Sequence, residues 1–372
     1  MPSIFVKDDL RASVEAASGG RQTVLYTALG QPTYMNIIPQ FDGQSVDVSL
    51  PAGPHEMFMV NGVAKSEYFV GAYPGRVFNG ELLSLPGMDP SAGLNHDQAV
   101  AYARACGAGH HLMSNAAFAG IALWCRANGF QPRGNTNNGR SSDATWETAR
   151  RVDTLSPGTV SGAARTLTGS GPLAWRHDNS SAGISDLCGN VWEWTPGMRL
   201  MAGEFQIIAG NNAAMSSTDL SATSTEWKAI NGATGALVTP TFTGTIAGGD
   251  YVPTTANSVR LAASGVANYT LVRASGQSFE AMTNPGATPV GTAALALLKS
   301  LGLFPVASLL GGTIAAPAAN GDCIWSTLPG ERLPLRGGYW LNGSGAGLFA
   351  LSLDTARDFV MSYVGGRPAF IL

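Results

Sequence analysis

The residues of this 372-residue chain that could perform chemistry do not assemble into a catalytic pattern. Cys106, Cys125, Cys188 and Cys323 are far apart, with no CxxC spacing to hold a metal or a redox pair, and each reads as a buried free thiol. His55, His96, His110, His111 and His177 form neither HExxH nor a HxxxHxE cluster, so they read as surface or hydrogen-bonded core residues. GxSxG and GxxxxGK are absent as well. Two stretches remain. In Asp186–Trp194, the polar residues Asp186, Asn190 and Glu193 alternate with apolar Leu187, Val191, Trp192 and Trp194 around Gly189. One reading is a tight turn into a strand with two indoles in the core. The other is a carboxylate-and-amide site, whose oxygens would suit a structural Ca²⁺.

The second stretch is LRGGYWLNGSGAGLFALSL, Leu335–Leu353, continuing to Arg367. Arg336, Gly337, Gly338, Trp340, Asn342 and Gly343 read as frame: small residues for close backbone approach, one indole for a core, one amide for backbone bonds. Asp186, Gly189, Asn190, Trp192 and Trp194 complete that scaffold. Between the frame positions stand Tyr339, Leu341, Gly345, Leu348, Ser352, Asp354, Thr355, Arg357, Asp358, Phe359, Val360, Tyr363 and Val364, which share no chemistry. Catalysis needs fixed groups at fixed places, whereas a mixed set on a rigid frame describes a recognition surface. Catalytic residues and metal ligands are therefore expected to be none.

Composition bounds the rest. A content of 45% hydrophobic and 13% charged residues describes a globular chain able to bury a core. A net charge of −3 argues against a nucleic-acid partner held through phosphates. MPSIFVKDDLRASVEAASGG lacks the apolar run of a secretory signal. The apolar stretch Ala293–Leu310 contains Lys299 and Pro305, so it reads as a helix and turn, without membrane insertion.

The elements that must position these residues are legible in part. Residues 1–65 alternate short β-like runs with turns (Thr23–Tyr26, Tyr34–Ile38, Val46–Leu50, Met57–Val60), as a small module or as a strand layer of the main domain. A further strand is expected over Glu67–Tyr73. Asn95 opens a helix over HDQAVAYARAC, and Ser114 caps a second that Gly129 stops, with Ala117, Ile121, Trp124 and Cys125 as its core stripe. Residues 131–185 read as one long loop, tied down by side-chain hydrogen bonds or a ligand. A strand at EFQIIAG, an insertion of strands and loops over about 212–290, and a helix over Thr292–Ser300 lead into the final segment.

DLCGNVWEW followed by LRGGYW, together with the helical pair LNHDQAVAYARAC and HLMSNAAFAGIALWCRANG, resembles formylglycine-generating-enzyme-type domains, a branch of the C-type lectin fold. The resemblance covers roughly 65–200 and 325–372. It implies an α+β fold with few regular elements and long loops, a lectin-like domain over 66–372 and a variable region over about 336–367. The copper enzymes of that family carry two cysteines after RGG-x-W. Asn342 and Gly347 stand at those positions here, and no cysteine follows Cys323, so the soft thiolate site is missing. The sugar-binding tripeptides EPN and QPD are missing too.

A second branch fits the residues better. LRGGYWLNGSGAGLFAL closing at GGRPAF is similar to the end of variable proteins of diversity-generating retroelements, with Gly366 where that family often has Phe. In those systems, template adenines in AAY codons are randomised. This reaches every residue type except Lys, Glu, Gln, Met and Trp. All the mixed positions named above lie within the reachable set, Trp340 and Met361 lie outside it, and no Lys, Glu or Gln occurs between Gly337 and Leu372. MNIIPQFDG…HEMFMVNGVAKSEYFVGAYPG resembles leader segments of phage virion proteins. The resemblance implies a non-catalytic receptor-binding protein of a virion, or otherwise of a cell surface. Its partner would be a cell-surface protein or glycan, and a trimeric assembly is compatible with it. A divergent oxidoreductase of the same fold and a purely structural virion protein are the alternatives.

Overall fold

A computed structural model of the chain describes residues 8–246, 249–273, 276–306 and 321–372. Positions 307–310 of the apolar stretch, and 247–248 and 274–275 of the 212–290 segment, lie outside the described residues, as does the start of the N-terminal segment at 1–7. The described chain is a mixed α+β protein with long loops.

Local signals account for the helices. Asn95 and Gln98 form a reciprocal capping box at the start of His96–Ala105. The Ser114 hydroxyl accepts from Ala117 N–H to start Asn115–Ala127. That second helix is buried nearly all round from Asn115 to Leu123, more than the single stripe expected, because sheets and loops close over it on several sides. Thr292–Ser300 packs beside it. No helix among the described residues is long and apolar enough to cross a membrane.

A further helix, Asp9–Ser18, replaces part of the β-like reading of the N-terminal segment. Asp8 caps it, Gly19 ends it at φ +62°, and only Ser18 is buried, so it carries almost no apolar stripe to read. Val46–Leu50 is likewise no strand; a helical turn, Gly43–Val46, runs into it.

Three sheets carry the frame. In the first, the order is Gln22–Tyr26, Pro32–Pro39, Glu67–Gly71, Pro368–Phe370 and His110–Leu112, all antiparallel. The N-terminal strands thus share a sheet with the last strand of the chain. The second places Cys323–Ser326, Gly347–Leu353, Leu335–Gly337, Trp192–Trp194 and Val364–Gly366 side by side. The third is built on Met198–Met201 and Glu204–Ile207, extended by Lys228–Ile230 and Arg260–Ala262 from the 212–290 segment and by Glu331–Arg332.

A buried guanidinium ties the first two sheets together. Arg367 is fully buried and gives Nε and Nη2 to the Glu193 carboxylate, with Nη1 to the Gly71 carbonyl and Nη2 also to Ser185 and Asp186 carbonyls. Arg336 does the same for the helices: it bonds Asn115 Oδ1 twice and the carbonyls of Leu301 and Gly302. Such planar forks satisfy several acceptors from one rigid group.

Candidate functional site

Strand register brings the C-terminal segment onto one cleft. Ser352 pairs with both Trp325 and Leu335, and the neighbouring strand supplies Trp192. Paired residues point to one side of a sheet, and Trp192 lies two residues from Trp194, the partner of Leu335, so these four make a floor. Tyr339, Asn342, Asp354, Thr355, Phe359 and Tyr363 stand around it, enclosing about 210 Å³.

The walls are aromatic and mutually braced. Tyr339 stacks on Tyr363 with centroids 4.3 Å apart, and both meet the Trp340 indole edge-on. Trp340 is itself buried, against Ala164 and Val191. On the floor, Trp192 and Trp325 cross at 89°, 5.5 Å apart. Burial pushes the Tyr339 and Tyr363 hydroxyls above their ordinary pKa, so both stay neutral hydrogen-bonding groups at physiological pH. Ser352 Oγ donates to Asp354 Oδ1. Thr355 Oγ1 donates to Leu333 O at 3.2 Å, and Asn342 Oδ1 accepts from Tyr339 N–H at 2.8 Å to close the turn. The cleft therefore offers flat apolar faces, two phenols and one carboxylate. No histidine or cysteine lines it among the described residues.

The remaining frame residues lie beneath. Gly337 and Gly338 sit at φ +86° and +88°. A Cβ would meet Leu187 O at 2.6 Å in the first and Ala346 Cβ at 2.4 Å in the second, so glycine is required at both. Gly343, also at positive φ, bonds through its N–H to Thr136 O. Asp186 and Asn190 hold positive φ on either side of Gly189. The Asp186 carboxylate accepts from Gly169 N–H, and the Asn190 amide pairs twice with the Thr166 backbone. Both Glu193 oxygens are taken by Arg367, and one Asp186 oxygen and the Asn190 amide oxygen by backbone N–H groups. No group of three or more His, Cys, Asp or Glu side chains among the described residues could hold a metal ion. Nor do the thiols suit copper. Cys106, Cys125 and Cys188 are buried, and burial pushes each thiol up, the Cys106 thiol to about 12, away from the thiolate a soft metal needs.

The thirteen positions expected to display side chains divide into groups. Tyr339, Ser352, Asp354, Thr355, Phe359 and Tyr363 line the cleft, while Leu341 and Val360 stand half-exposed near it in the chain. Asp358 borders a neighbouring cleft with Asn95, Asp97 and Tyr251. Four positions need correction. Leu348 and Val364 are core residues, 6% and 0% exposed, each packed in a hydrophobic cluster and neither lining the cleft. Gly345 is buried, and a Cβ there would lie 3.2 Å from Cys323 Sγ. Arg357 borders the second cleft, but its guanidinium is held by both Glu331 oxygens and by Asp97, which makes it a brace for the loop.

Sequence reasoning missed Trp325, Leu335 and the cleft-facing role of Trp192, all brought in by register across strands distant in sequence. It also passed over Arg367, whose only signal was its place in GGRPAF. No protein-family model matches the chain, and a search of curated proteins finds no match.

Proposed function

We propose that this chain is a non-catalytic binding protein whose C-terminal segment is a diversified recognition surface. In this reading it is a variable protein of a diversity-generating retroelement with a C-type lectin fold of the formylglycine-generating type, carried on a virion. Its ligand would be a cell-surface protein or glycan. One observation carries it: side chains within the codon-reachable set converge on a single aromatic cleft, with Trp340, outside that set, buried beneath it; Met361, also outside the set, is 43% exposed and does not line the cleft. Tyrosine, phenylalanine and tryptophan on such a cleft supply large contact area at low entropic cost, as binding loops require.

The long loop 131–185 supports the same reading, because it holds the cleft from behind without entering it. Asn138 N–H donates to Trp340 O at 2.8 Å, and the fully buried Arg151 side chain fastens Asn138, Thr159 and Ser161 carbonyls to Asp153. Replacing the exposed Leu341, Asp354, Asp358 and Val360 together tests the reading. The melting temperature should stay within a few degrees, since solvent-facing changes cost about 0.5 kcal/mol or less each. Loss of the folded state in this variant would refute a surface built to change.

A further inference from the structure

A second cavity, of about 390 Å³, shares no lining residue with the C-terminal cleft. It opens between strand Pro32–Pro39 and helix Asn115–Ala127, and Ile38, Phe41, Ile121 and Trp124 form its apolar walls. The rings are fixed: Trp124 stacks on Phe130 at 5.9 Å and 17°, and Phe41 meets Phe58 edge-on at 5.1 Å.

Two buried polar side chains line this cavity, and only one is unspent. Asn36 donates to Ala182 O and accepts from Gln22. His177, 6% exposed, accepts Ile184 N–H at its Nδ1 over 2.8 Å, so the ring proton sits on Nε2. Burial holds the imidazole down to about 4, so this neutral tautomer persists at pH 7. Nε2–H makes no hydrogen bond to protein among the described residues, and the ring lines the cavity. One fixed donor among aromatic walls is the composition of a small-molecule site.

Charge narrows the ligand. Asp178 stands beside His177, with its Oδ1 3.7 Å from Nδ1, which disfavours an anion. Its Oδ2 is already paired with Arg21 at 3.0 Å, and a cation would meet both Arg21 and the imidazole N–H. We propose that this cavity is a fixed binding site for a neutral, planar aromatic ring system bearing a hydrogen-bond acceptor, the ring against Trp124 and the acceptor on His177 Nε2. It lies wholly outside the C-terminal segment and does not depend on the reading of that segment.

Quinolin-2-one, a flat bicycle with one carbonyl, is the probe, and naphthalene, which lacks the acceptor, is its control. Titration into the full chain, followed by tryptophan fluorescence and ligand-observed NMR, should give saturable binding of both. His177→Phe keeps an aromatic wall and removes the donor. It should weaken quinolin-2-one roughly five- to tenfold, the loss of one hydrogen bond, and leave naphthalene unchanged. Should His177→Phe fail to fold, Trp124→Leu on the partly exposed wall should weaken both probes by a similar factor. Failure of quinolin-2-one to bind the unaltered chain, or undiminished binding to the folded variants, would overturn the assignment.

Discussion

Trp340 and Leu341 are neighbours in sequence with opposite surroundings, and replacing each by alanine separates frame from display. The Trp340 indole is 5% exposed and packs against Ala164, Val191, Tyr339 and Tyr363, whereas Leu341 is 52% exposed. Truncating a buried indole costs about 3–5 kcal/mol, transfer and cavity terms together. A solvent-facing leucine costs about 0.5 kcal/mol or less. With an unfolding entropy near 2 cal/mol/K per residue, a chain of this length has about 0.8 kcal/mol/K at its midpoint. Trp340→Ala should therefore lower Tm by about 4–6 °C, and Leu341→Ala by under about 1 °C. Differential scanning calorimetry at one protein concentration and pH reads both. A Trp340→Ala shift no larger than that of Leu341→Ala would refute the division, because the indole could not then be holding the cleft from below.

The buried Arg367–Glu193 pair should be similarly exacting. Arg367→Met strands a carboxylate and three carbonyls and should cost about 3–5 kcal/mol in a urea melt, with part of the loss recovered by adding Glu193→Leu. At Gly338, φ +88° and the 2.4 Å approach to Ala346 Cβ make Gly338→Ala a loss of roughly 2–5 kcal/mol from strain and overpacking; an unchanged melt would show that the turn relaxes. Acid should destabilise the protein early. Burial holds His55, His111 and His177 down to about 4 from the ordinary 6.5, so the unfolded chain takes up protons that the folded one refuses. Their stabilising contribution is complete above pH 6.5 and is lost as pH falls toward 4. Urea midpoints should fall steadily across that window, and a flat profile would contradict buried neutral imidazoles.

What could be read from the sequence was local. Asn95 before HDQAVAYARAC, and Ser114 before a run of apolar residues, mark the two helix starts, and Thr292–Ser300 forms over the span its composition indicated. Gly337, Gly338 and Trp340 were legible because a glycine or an indole in such a run has few other uses. The cleft was legible only in outline. Residue type does not say which way a position faces, so Leu348 and Val364 read like Tyr339 although both are buried in core clusters. Trp325 and Arg367 were not recognised as part of the site, because their partners Ser352, Glu193 and Gly71 are set by register and topology rather than by neighbours in sequence. Tyr339 and Tyr363 qualify the split between frame and display, since each reaches the cleft while also packing on Trp340.

The most direct measurement is the DNA sequence on either side of the coding region. The account predicts a reverse transcriptase gene and a near-copy of the segment encoding 336–367. In that copy, differences should fall on adenines in the codons of Tyr339, Leu341, Asp354, Asp358, Phe359, Val360 and Tyr363, with the codons of Arg336, Gly337, Gly338 and Trp340 unaltered. A locus with no such gene and no near-copy, or with differences spread evenly across frame and display codons, would contradict it.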